Sequence, residues 1–124
     1  RPVQVQLIAG EAAPAMSKIV YKSTLPFPFA KAVRAGDFVF VSGQLPLDPA
    51  TGHVVSDDVR EQSHRVLKSL AGILEAAGGS LKHVVRTTVF LTDLSDFAAM
   101  NEVYTTYFTA PFPALCSCSL CSSI

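Results

Sequence analysis

The chain has 124 residues, enough for one domain that buries about two-thirds of the surface its unfolded form exposes. Ten Lys and Arg balance ten Asp and Glu, so no net charge draws it toward nucleic acid or an anionic membrane surface. Hydrophobic residues make up 49%, yet no apolar run approaches the roughly 18 residues of a membrane span, and no export signal opens the chain. A soluble, cytoplasmic domain without a membrane partner is the expectation.

The first fifteen residues, "RPVQVQLIAGEAAPA", differ in character from the rest, and Met16 opens "MSKIVYKS" in the manner of a natural start. Residues 1–15 are therefore read as a leader or non-native extension, and residues 16–124 as a single domain. Within the leader, apolar Val3, Val5 and Leu7 alternate with Gln4 and Gln6, the pattern of a half-buried strand.

"KIVYK" (18–22) is a short strand candidate, and the proline-rich "LPFPF" after it favours extended backbone. Residues 32–35, Gly36-Asp37 and "FVFVSGQL" read as a hairpin closed by a tight glycine turn. "PLDPATGHVV" is an irregular loop. Asp58 with Glu61 predicts a capped helix start, and Val59, Val66, Leu67, Leu70, Ile73, Leu74 and Ala77 fall on one helical face. Gly78-Gly79 ends that helix. The β-branched "VVRTTVFL" (84–91) predicts a strand. Ser95 or Asp96 opens a second helix, with Phe97, Met100, Val103, Tyr104, Tyr107 and Phe108 on its apolar side, and Pro111 and Pro113 stop it. The order predicts an α+β domain: a mixed sheet with two helices on one face.

Four stretches carry a resemblance: "AVRAGDFVFVSGQLPLDPATG" (32–52), "EQSHRVLKSLAGILEAAGGSL" (61–81), "VVRTTVFLTDLSDFAAMNEVY" (84–104) and "FPA" (112–114). Together they resemble the RidA/YjgF family of reactive-intermediate deaminases, also known as the L-PSP endoribonuclease family. The resemblance implies a chorismate-mutase-like fold and a homotrimer with clefts between subunits. It implies hydrolysis of imines and enamines such as 2-aminoacrylate to ketoacids and ammonia, of the 2-iminobutanoate/2-iminopropanoate deaminase type, with no cofactor and no metal. An arginine fork holds the substrate carboxylate by two charge-assisted hydrogen bonds, and positioning beside water supplies most of the catalysis.

The family's carboxylate-binding arginine follows "FPA", where this chain has Leu115. A leucine offers no N–H donor, and losing one side of a buried charged hydrogen bond costs about 2–5 kcal/mol of substrate binding. That is roughly tenfold to several thousandfold. Phe29 stands where many members have a cleft tyrosine, keeping the ring without the hydroxyl. Ser42 and Asn101 match the family's cleft positions and are the catalytic candidates; Phe29 and Leu115 are the substrate-binding ones. Active relatives continue into a last strand carrying a water-orienting glutamate. Here no Glu follows Glu102, so the final family strand is expected to be missing and the tail altered from about residue 115. Without that strand the sheet would expose an unpaired edge, which the alternating "VQVQLI" could fill.

The tail "LCSCSLCSSI" holds Cys116, Cys118 and Cys121. Zinc usually takes four ligands, and His53, His64 and His83 lie far off in sequence, so no metal site is expected. A shifted reading frame near Leu115 would produce such a tail. His64 reads as part of a solvated helix face, and Arg86 as a sheet-surface charge. Three functional readings remain: an imine deaminase weakened at Leu115, a non-catalytic trimeric binder of small ketoacids or apolar metabolites, and a single-strand endoribonuclease. The balanced charge counts against nucleic acid as a partner.

Overall fold

A computed structural model describes residues 4–10, 18–21 and 28–119. Its strands are β1 (Gln4–Gly10), β2 (Lys18–Tyr21), β3 (Ala32–Ala35), β4 (Phe38–Gln44), β5 (Val84–Leu91) and β6 (Ala114–Ser119). The helices are α1 (Val59–Ala76) and α2 (Phe97–Tyr107). One six-stranded sheet results, in the order β2-β3-β4-β1-β5-β6. All neighbours are antiparallel except β5 and β6, which α2 links by the crossover that a parallel pair requires.

Local chemistry accounts for the elements. Gly36 takes φ 60°, a left-handed turn residue that lets β3 fold back onto β4. The Asp58 carboxylate accepts the Arg60 N–H at 2.9 Å and caps α1. At the other end Gly78 has φ 86°, and the Gly79 N–H reaches the Leu74 carbonyl at 2.8 Å. Val66, Leu67, Leu70 and Leu74 are buried with Val39 and Val41 of β4, Val89 and Leu91 of β5, and Met100 and Val103 of α2. This is the mixed sheet with helix-covered core that the sequence predicts.

Three features depart from the periodic reading. Gln62 and Ser63 are buried within α1; the Gln62 amide donates to the Ser56 carbonyl at 2.8 Å, and the Ser63 hydroxyl to the Val59 carbonyl at 2.7 Å. Phe97 and the Phe38–Phe40 pair stay exposed. Phe38 and Phe40 alternate with buried Val39 and Val41, so they lie on the sheet face turned away from the helices. Finally, the alternating leader stretch that could fill an open edge does form a strand, but not an outer one. β1 stands in the middle of the sheet, antiparallel to β4 on one side and β5 on the other.

Candidate functional site

Ser42 and Phe29 are joined by backbone. The Ser42 hydroxyl donates to the Ala30 carbonyl at 2.5 Å, and the Ser42 N–H to the Lys31 carbonyl at 2.9 Å. Phe29, next to Ala30, projects with 57% of its surface exposed. Because its proton is engaged by Ala30, Ser42 offers a ligand lone pairs rather than a donor. A β-bulge sits at this point: Val5 pairs with Gln44 and Leu7 with Val41, so Ser42 and Gly43 together oppose Gln6. The Gln44 amide donates back to the Ser42 carbonyl at 3.1 Å, which steadies the bulged turn.

Asn101 and Leu115 belong to a second cluster. Leu115 of β6 is in register with Thr87 of β5. The Thr87 and Tyr104 hydroxyls share a hydrogen bond of 2.9 Å, buried between sheet and α2. Asn101 lies three residues before Tyr104 on α2, and so on its flank of the helix. The Tyr104 ring tilts against Phe108 with centroids 4.5 Å apart. Burial raises the Tyr104 pKa above its ordinary 10.0, and the Thr87 hydrogen bond offsets part of that rise. Leu115 itself is 37% exposed, at the rim of this cluster.

The two clusters do not meet within one chain. β1 and β5 separate β4 from β6, three strand spacings or about 14 Å. By strand alternation Ser42 follows Val41 onto the open face, whereas Leu115 shares the face of Thr87 beneath α2. Among Phe29, Ser42, Asn101 and Leu115 there is no cation, so these four offer an anion only neutral hydrogen bonding.

A cleft of about 620 Å³ opens elsewhere, lined by Glu75, Leu81, Lys82, Tyr107, Phe108 and Pro113 among others, and by none of the four predicted residues. His64, exposed as expected, is not merely solvated: its Nδ1 lies 3.1 Å from the Tyr107 hydroxyl. Arg60 and Glu102 join the two helices beside it at 2.6 Å. Of the cysteines, Cys116 and Cys118 hold strand positions paired with Thr88 and Phe90, and Cys121 lies outside the described residues. Sequence reading missed the Thr87–Tyr104 pair. The available signal was a threonine within an apolar strand and a tyrosine on an apolar helix face, two buried hydroxyls that each require a partner.

The family model described as Endoribonuclease L-PSP matches residues 23–120. A RutC family protein of Pyrococcus abyssi is 52% identical over 87 residues, covering 70% of this chain and 68% of that protein. The 2-iminobutanoate/2-iminopropanoate deaminase of Mus musculus is 44% identical over 87 residues, 70% of this chain and 64% of its own. The crystal structure of E. coli TdcF with bound serine superposes with a TM-score of 0.75 at 34% identity, covering 82% of this chain and 85% of that one. Among the described residues no helix is long and apolar enough to cross a membrane.

Proposed function

The chain belongs to the RidA/YjgF (L-PSP endoribonuclease) family, and we propose that it is a cofactor-free, cytoplasmic deaminase of small imino acids whose imine hydrolysis is weak because Leu115 replaces the carboxylate-binding arginine. Leu115 carries this reading. It stands after "FPA", where the family's carboxylate-binding arginine is expected, and brings no donor to an anionic substrate. Ser42 and Asn101 are the groups that remain to position a substrate and a water, with Phe29 and Leu115 forming apolar walls.

The placement of the two clusters supports a site shared between copies in a homotrimer. Ser42 and Leu115 lie on opposite faces and three strands apart, so one copy would supply Phe29 and Ser42 and its neighbour Asn101 and Leu115. Exposed Phe38 and Phe40 give the open face an apolar surface suited to such packing. Phe29 and Leu115 also favour a second reading, a module that binds a less anionic ligand without turning it over. Ribonuclease action would need a basic track, which ten positive and ten negative side chains do not favour.

The test generates imino acids in place from several amino acids with an oxidase, traps them with semicarbazide, and measures suppression of the trapped product. The unmodified chain is expected to suppress little, and Leu115→Arg to gain tenfold or more. Full suppression by the unmodified chain would contradict the reading. Thermal stabilisation by a ketoacid without turnover would favour the binding module.

A further inference from the structure

β4 and β5 run in the same direction, joined through α1, and pair with β1 rather than with each other. The stretch matched by the family model, residues 23–120, contains both walls of this gap but not the strand that fills it. The matched stretch alone would therefore present two facing rows of backbone N–H and C=O groups. β1 satisfies both: Val5 is aligned with Gln44 and Val89 together, Leu7 with Val41 and Thr87, and Ile8 with Phe40 and Arg86. An extended segment held on both edges is recognised mainly through its backbone, while the positions of alternate residues set its register.

Seven residues, 11–17, join β1 to β2. Gly10, Phe38, Ala35 and Lys18 form one row across the sheet. From Gly10 to Lys18 is therefore three strand spacings, about 14 Å. The eight Cα–Cα steps between them can reach about 27 Å. Seven residues therefore suffice to join the two strands where they stand.

We propose that the gap between β4 and β5 is a strand-acceptor site. It holds residues 4–10 noncovalently, antiparallel to both walls, and exchanges that segment with the same segment of a second copy of this chain. Filling the gap also sets the distance between the Ser42 bulge and the Thr87–Leu115 pair, because β1 is the element lying between them. The proposal is independent of any catalytic reading.

To test it, residues 11–17 of the full chain are replaced by a specific protease site, and the folded protein is cut and passed over a sizing column. Residues 1–10 are expected to co-elute with the remainder. A fluorescent peptide of residues 1–10 should then be taken up in exchange, blocked by excess unlabelled peptide but not by one whose alternation is scrambled. Release of the strand on cutting, whether or not the remainder stays soluble, overturns the proposal; so does retention with no uptake of added peptide. Hydrogen exchange on the unaltered chain gives a second reading that needs no variant. Amides of β1 should open together with those of β4 and β5 while α1 stays protected; β1 opening only with global unfolding overturns the proposal as well.

Discussion

The buried hydroxyl pair beneath Leu115 gives the sharpest test of how the second cluster is built. Thr87 is fully buried and Tyr104 nearly so, and their hydroxyls meet at 2.9 Å. Thr87→Val keeps the shape but strands the tyrosine hydroxyl in the core, at a cost of about 1–3 kcal/mol. Tyr104→Phe strands the threonine hydroxyl instead, and is expected to cost about 1 kcal/mol because that small group can turn toward a backbone carbonyl. The double variant removes both polar groups together and should lie within about 1 kcal/mol of the unmodified chain. The two single losses sum to about 2–4 kcal/mol and should therefore exceed the double loss by at least about 1 kcal/mol, a coupling typical of directly bonded residues. At an unfolding entropy of about 2.1 cal/mol/K per residue, 124 residues convert each kcal/mol into about 4 °C of melting temperature. Urea unfolding of the four proteins, with unchanged slopes, measures the cycle. Strictly additive losses would refute the reasoning, because they would mean that each hydroxyl finds its satisfaction elsewhere.

The same pair makes a pH prediction. Folding raises the Tyr104 pKa, so the folded chain holds this proton more tightly than the unfolded one. Its contribution is complete below the ordinary phenol value of 10.0 and is lost as pH rises from there through the folded pKa; Tyr104→Phe should flatten that alkaline decline in melting temperature. In the core, Leu70→Ala removes a fully buried side chain facing the sheet and should cost about 2–5 kcal/mol in a denaturant melt. Glu102→Gln breaks the Arg60 contact, but both partners are more than half exposed, so the loss should stay below about 1 kcal/mol and fade in high salt. Ser42→Ala removes the side-chain bond to the Ala30 carbonyl but keeps the backbone bond to Lys31, and should cost about 1 kcal/mol in a denaturant melt.

Short-range chemistry was legible in the sequence. The cap at Asp58 and the glycines at 78–79 bracket α1 because they act on backbone groups within a few residues. The β-branched run 84–91 is β5 as read, since side-chain crowding there opposes a helix. The alternation in residues 3–7 likewise announced a strand, yet it could not say which edges that strand would join. Strand pairing is a long-range backbone interaction, decided by which N–H and C=O groups remain unsatisfied once every other element is placed. Only the tertiary structure put β1 between β4 and β5 and set a bulge at Ser42. It also brought Tyr104 to Thr87, and turned Ser42 and Leu115 to opposite faces of one sheet. Residue types and their spacing determined what each side chain could do chemically, and the closing of backbone hydrogen bonds across the sheet decided which of them could act together.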